Sequence, residues 1–313
     1  LLVIIIFCQN LPPYIITSLM GDSPLVGMAA GSISMAGGHG TAGGFSAVLE
    51  GMGLPGAGTV ALAAATFGLI AGSVIGGPVA ERLIRRHLTD EHLEPKDYEL
   101  DPAMAGIESD EALPAGRARH DSSNEEEFHR YASATYAIIV VMAIGTLASW
   151  LLGRTGITFP TYFGALITAA VARNVAEQTS LGKYLEVEKI VSVGNISLSL
   201  FLGMAMVSLK LWELQSLALP LMTILVAQVV LIVLLSYFLA FRLLGRDYDA
   251  AVLVAGICGF ALGATPNAMA NMSAVCYKYH YSVRPFLIVP IVGAMFVDLL
   301  NTGIITVFLN WIG

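Results

Sequence analysis

Asp298 lies midway along an apolar stretch from Pro285 to Trp311, and Asn301 follows it three residues later. On a helix that spacing puts both side chains on one face. An ionised carboxylate at the centre of a bilayer costs about 3 kcal/mol on insertion scales, so such a residue is a functional position by default. Two oxygen-bearing side chains side by side suit a small cation, Na⁺ or H⁺. The plainer alternative is a protonated Asp298 hydrogen-bonded to a neighbouring helix. Two further segments could do chemistry through their backbone. Residues 24–50 are apolar but broken midway by GGHGTAGG, and residues 248–275 are apolar with Gly259, Gly263 and Pro266 at their middle. Where a helix breaks inside hydrocarbon, its freed amides and carbonyls must face protein, water or ligand. The N-terminal end of a half-helix favours a carboxylate, and the opposing C-terminal end favours a cation. Two glycine-rich packing helices are the simpler reading of the same segments.

Gln9 and Asn10, with Asn195, Ser197 and Ser199, are expected to be interhelical hydrogen-bond partners or secondary site residues in equal measure. His39, inside the first glycine break, has no second ligand nearby, which argues against a metal site. Arg173 ends a span and is expected to snorkel. The chain has no HExxH helix, P-loop or GxSxG elbow, and no second catalytic group for Asp298, so it does not read as an enzyme. Cys8, Cys258 and Cys276 form no disulfide framework or spaced metal site and read as buried thiols.

The elements that must position these groups are membrane spans. Of 313 residues 56% are hydrophobic and 12% charged, about half the charged share of a soluble domain. Most of the charge falls between Glu81 and Arg130, where acidic groups outnumber basic ones. No basic stripe remains for nucleic acid. Seven stretches are long and apolar enough, or nearly so, to cross hydrocarbon: Leu1 to Met20, Ala57 to Ala80, Tyr131 to Leu152, Thr158 to Ala172, Val191 to Leu211, Leu217 to Phe241 and Pro285 to Trp311. Placing the loop from Glu81 to Arg130 in the cytoplasm and alternating leaves only Arg154 and Lys210 outside among all the Lys and Arg, as the positive-inside rule requires. Trp150, Trp212 and Trp311 then end three spans at the outer face, as an aromatic belt does. The acidic stretch is too poor in large apolar residues to order itself and reads as a disordered tether.

The pattern of span, broken segment and span occurs twice. A shift of 225 places Gly31 on Gly256 and Gly38 on Gly263. The copies begin an odd number of spans apart, which inverts the second. Inverted repeats with broken helices in matching positions point to the binding site of a secondary transporter. The expected fold is an all-α polytopic membrane protein of inverted structural repeats, each with a re-entrant glycine-rich hairpin. Its parts are residues 1–86 closing the first half, the loop 87–130, and residues 131–313 as the second half. The chain opens without Met into LLVIIIF, as a fragment starting inside a span would.

The strings GSISMAGGHGT, ATFGLIAGSVIGGPVA, SVGNISLSLFLGMAMVSLKLWELQSLALP, DYDAAVLVAGICGFALGATPNAMANM and VPIVGAMFVDLLN resemble the bacterial sodium/glutamate symporter family over nearly the whole chain outside the acidic loop. The resemblance implies about ten spans in two inverted halves, so that roughly three N-terminal spans are missing. It also implies L-glutamate uptake driven by Na⁺ entry, a homodimer in the bacterial inner membrane, an elevator-type movement, and no cofactor beyond the coupling ion. Carried over by position, the first tip is Ser34, Gly37, Gly38, His39, Gly40 and Thr41, and the second is Gly259, Gly263, Ala264, Thr265, Pro266 and Asn267. Asp298 and Asn301 match the family's FxDxxN-type stretch as Na⁺ ligands. Ile257 departs from the pattern, standing where relatives carry His, which removes a proton-handling role there. The competing readings are a proton- or sodium-coupled carrier of another dicarboxylate and, from a different class, a channel or structural membrane protein.

Overall fold

The computed structural model describes residues 1–88, 121–154, 159–160, 162–179, 182, 185–215 and 217–312, and these are helical nearly throughout. In chain order the helices are α1 (Leu2–Met20), α2 (Pro24–Ala29), α3 (Gly38–Gly51), α4 (Ala57–His87), α5 (Asp121–Gly153), α6 (Tyr162–Gln178) and α7 (Val187–Ser208). They continue with α8 (Ala218–Leu234), α9 (Phe241–Leu243), α10 (Tyr248–Ala261), α11 (Thr265–Lys278), α12 (Val283–Val292) and α13 (Asp298–Ile312). A π-helical turn, Leu235–Ala240, joins α8 to α9, and another, Gly293–Val297, joins α12 to α13. Five helical stretches among the described residues are long and apolar enough to cross a membrane: Leu2–Met20, Ala57–His87, Glu127–Gly153, Val187–Val207 and Ala218–Leu243. An all-helical chain with several such helices is a polytopic membrane protein.

The chain divides into two compact units, α1–α4 with α8–α13, and α5–α7. In the second unit, Gly145 and Gly164 let α5 and α6 approach so closely that a Cβ at Gly145 would meet the Ala165 backbone. Side chains such as Leu147 and Trp150 on α5, and Leu200 and Val207 on α7, are exposed, as lipid-facing residues are. Arg173 pairs with Glu177 on its own helix at 2.6 Å. Ser199 returns its hydroxyl to the Asn195 carbonyl one turn back.

The first unit carries both interrupted segments. α2 starts where Ser23 accepts from the Leu25 amide and Pro24 presets the first turn. α10 starts on Asp247, which accepts from the Ala250 amide at 2.8 Å. The expected breaks are present, but the first lies earlier than GGHGTAGG suggests. It runs over residues 30–37, and most of the glycine run belongs to α3. Glycine is a poor helix former, yet here the helix packs against α4, and Ala42, Phe45 and Leu49 are fully buried. Packing therefore overrides propensity. Gly38, at the start of α3, has φ of 61°, a left-handed backbone that glycine adopts without strain.

Four of the expected spans also differ. α4 runs on to His87, and α5 begins at Asp121, so the end of the acidic stretch is helical. The expected fourth span gives only the 17-residue α6, which is not among the crossing helices, and the expected seventh is divided into α12 and α13 by the π turn. Residues 89–120, most of the expected tether, lie outside the described residues.

Candidate functional site

The two breaks meet. A Cβ added to Gly38 would sit 3.0 Å from the Gly263 carbonyl oxygen, so the start of α3 and the gap between α10 and α11 are in contact. α4 runs alongside, with Gly68, Gly72 and Gly76 on successive turns facing the second break and its flanking helices. A Cβ at Gly68 would overlap the Leu262 carbonyl oxygen and lie 2.9 Å from Met35 Sδ, while one at Gly72 would be 3.3 Å from the Cys258 carbonyl oxygen. This close approach lets α11 fasten itself to α4. Asn267 donates to the Leu69 carbonyl at 2.8 Å, and Asn271, one turn on, donates to the Gly72 carbonyl at 2.8 Å. At the far end of the hairpin, Lys278 pairs with Glu81 at 2.7 Å.

Adjacent amides on α1 serve both breaks. Gln9 donates to the Ala261 carbonyl, the last of α10, at 2.6 Å. Asn10 donates to Ser32 Oγ at 2.9 Å and accepts from the Ser32 amide at 3.1 Å. Pro13 explains a third contact. Lacking an N–H, it leaves the carbonyl four residues back, that of Gln9, without its helical donor. Gln228 on α8 supplies one, Nε2 to the Gln9 carbonyl at 2.5 Å. Gln228, Ser32 and Asn271 were not singled out in the sequence, although Pro13 was a usable signal for Gln228. Replacing Gln228 by Leu should strand that buried carbonyl at a cost of about 1–3 kcal/mol, or a loss of roughly 2–4 °C in Tm for each kcal/mol. Thermal unfolding in detergent measures it, and an unchanged Tm would show the contact to be idle.

The ends of the half-helices are treated unequally. The C-terminal ends of the leading halves receive side-chain donors: Ser34 gives its hydroxyl to the Ala29 carbonyl, and Gln9 serves Ala261. The N-terminal ends of the trailing halves, α3 and α11, have no side-chain cap. The first amides of a helix carry about half a positive charge between them and bind anions. Two such ends, beside touching gaps, can hold a carboxylate.

The remaining site residues fall around this pair. Ser34 is fully buried, and its single hydroxyl proton is shared between the Ala29 carbonyl and the Ala61 carbonyl, the latter at 2.8 Å. Thr41 is buried against Gly37. Gly40 faces open space. His39 Nε2 lies 3.0 Å from Thr66 Oγ1, whose own proton goes to the Leu62 carbonyl at 2.9 Å, so the imidazole donates. In the second tip, Gly259 lies against the Asn267 and Ala268 backbone, and Ala264 and Thr265 are half-buried beside an exposed Pro266. Thr265 abuts the last span, where a Cβ on Gly293 would be 2.9 Å from its Oγ1.

Asp298 and Asn301 separate. Asn301 is fully buried and donates to the Ser32 carbonyl in the first break at 3.1 Å, while its Oδ1 is buried with no hydrogen-bond partner. Asp298 is exposed, just past the π turn at Gly293–Val297. Among the described residues no group of three or more His, Cys, Asp or Glu could hold a metal ion. A cavity of ≈ 220 Å³ adjoins the first break at Ala36, the end of α10 at Phe260 and Ala261, and the π turn at Gly293. Ile5, Ile257 and Val289 also line it, and these apolar walls offer nothing to a carboxylate.

Apolar spans and paired, contacting helix breaks define a polytopic helical membrane protein with a polar centre. The chain belongs to the sodium/glutamate symporter family, whose model matches residues 1–281. It is 40% identical over 294 residues to the sodium/glutamate symporter of Escherichia coli, covering 93% of this chain and 69% of that protein. To the sodium/glutamate symporter of Haemophilus influenzae it is 37% identical over 307 residues, 97% of this chain and 72% of that one. No solved structure matches it.

Proposed function

We propose that this protein is a secondary active transporter, a symporter rather than an enzyme, that carries L-glutamate into the cell together with Na⁺. The observation that carries the reading is the contact between two helix breaks whose trailing N-termini lack side-chain caps, in a chain of the sodium/glutamate symporter family. Residues 24–50 and 248–275 act as re-entrant hairpins of opposite sense within inverted halves, the second of which is residues 131–313. Glutamate carboxylates are held by the amides of the two tips and the hydroxyls of Thr41 and Thr265, with Ser34, whose proton goes to backbone carbonyls, bracing the first tip and glycines admitting the ligand to the backbone. Na⁺ is held at Asn301 by its Oδ1 and carbonyls of the tips, with the Asp298 carboxylate one turn away on α13 supplying the charge. The unpartnered Asn301 Oδ1 supports this, because a buried carbonyl oxygen without a donor is costly unless a cation or water meets it.

Cation binding first neutralises the site and then admits the anion, which couples the two fluxes. The protein works as a homodimer in the bacterial inner membrane, with residues 87–130 cytoplasmic and an elevator-like movement carrying the site across. Purified protein in liposomes given an inward Na⁺ gradient should accumulate labelled L-glutamate uphill. An equal proton gradient without Na⁺ should not drive it. Uptake indifferent to Na⁺, or flux that never exceeds equilibration, would defeat the reading in favour of a proton-coupled carrier or a channel.

A further inference from the structure

Well away from the breaks, the end of α4 and the α8–α9 segment enclose a pocket of ≈ 190 Å³ with Arg86, Arg242 and Arg246 among its lining residues and no acidic side chain. None of these guanidiniums forms an ion pair among the described residues. The walls are aromatic. His87 packs its ring 5.2 Å from that of Phe241 and 6.3 Å from that of Tyr237. The Tyr237 hydroxyl is buried and has no hydrogen-bond partner.

Two backbone irregularities coincide here. Tyr237 lies in the π turn Leu235–Ala240, a geometry that concentrates at functional sites. Arg246 has φ of 59°, the one non-glycine residue with positive φ among those described, at a cost of about 1–2 kcal/mol for an L-residue.

The pocket shares Arg86, Tyr237 and Phe238 with a second one of ≈ 560 Å³, which follows the seam between α4 and α8 past Arg82, Pro78, Val74 and Leu234. From Val74 to Arg86 the helix rises about 18 Å, comparable to a fatty acyl chain. The outer walls are themselves exposed, Val74 by 65% and Phe238 by 54%, in a chain whose surroundings are hydrocarbon. A basic mouth on an apolar groove is the complement of a phosphate ester with a hydrocarbon tail. Arginine is the side chain best matched to phosphate oxygens, and basic pockets between spans at the cytoplasmic face bind anionic headgroups.

We propose that this pocket and groove hold one anionic phospholipid of the cytoplasmic leaflet, its phosphate among Arg86, Arg242 and Arg246 with the Tyr237 hydroxyl donating, and one acyl chain along the groove past Pro78 and Val74. The chain's own acidic stretch is the rival occupant. It matches the charge, but its large apolar residues (Leu93, Tyr98, Leu100, Met104, Ile107 and Leu113) are scattered singly among acidic and small ones, so it offers no continuous hydrocarbon to fill the groove.

The test uses purified protein in detergent, with lipid binding followed by native mass spectrometry. Phosphatidylglycerol should bind the wild-type protein and bind Arg86→Gln/Arg242→Gln/Arg246→Gln on the order of a hundredfold more weakly, since each arginine near an anionic lipid is worth about fivefold. Phosphatidylcholine should show no such difference. Val74→Trp, which fills the groove and leaves the arginines in place, should also weaken phosphatidylglycerol, and it serves as the test if the triple variant fails to fold. Millimolar inorganic phosphate should not displace the lipid. The proposal is overturned if the variants bind phosphatidylglycerol within threefold of wild type, if wild type binds both lipids equally, or if free phosphate competes. Binding that emerges only after residues 89–120 are deleted would assign the pocket to the acidic stretch instead.

Discussion

Gly68→Val is expected to lower Na⁺-driven glutamate uptake at least tenfold, whereas Gly77→Ala, on the same helix, leaves it near wild type. The difference lies in what a new Cβ meets. At Gly68 it overlaps the Leu262 carbonyl oxygen in the second break and crowds Met35 Sδ at 2.9 Å, while at Gly77 nothing lies within 4 Å. Overpacking a core costs typically about 1–3 kcal/mol when side chains can shift. A backbone carbonyl shifts less readily, and here it would have to carry the contact between Gly263 and Gly38 with it. Uptake in liposomes, normalised to protein that elutes as a single species, measures the effect. A fully active Gly68→Val would mean that α4 and the second break do not work in contact.

Asp298→Asn should raise the half-saturating Na⁺ concentration at least tenfold while changing the preference for glutamate over aspartate much less. The substitution keeps size and one oxygen but removes the charge. A tenfold weakening corresponds to about 1.4 kcal/mol, modest for the loss of a formal charge beside a cation. Asp298 stands at the first residue of α13, immediately past the π turn, and Asn301 at the next turn reaches Ser32 in the first break. Na⁺ titrations of uptake at fixed glutamate check it. An unaltered Na⁺ dependence would remove Asp298 from the ion site and leave the role to the buried amides around Asn301.

Five of the seven expected spans and the existence of two breaks were legible because each rests on a local quantity. Charge thins out where hydrocarbon must be crossed, and glycines recur at a matching offset, as Gly38 and Gly263 do. The place of the first break was not legible. GGHGTAGG, with five glycines in eight residues, has a poor propensity for helix, yet burial of Ala42 and Phe45 on α4 makes most of it α3. The hydrogen bonds that hold the site were also hidden, since they join residues more than two hundred positions apart: Gln9 to Ala261, Gln228 to Gln9, Asn301 to Ser32. No periodicity encodes such pairs. Only Pro13 advertised one, by announcing a carbonyl in need of a donor. Asp298 and Asn301 share a helical face by spacing, but one faces outward and the other is sealed against the first break, a distinction that depends on neighbours rather than on the helix itself.

Gln9 and Asn10 are consecutive, so their side chains leave α1 about 100° apart, one toward each gap. The two gaps are thereby geared to a single shaft. A twist or slide of α1 large enough to free Ala261 also tugs on Ser32, and neither can be adjusted in private. Anion and cation sites built on these gaps would inherit that linkage mechanically, before any charge attraction between the two cargoes is counted.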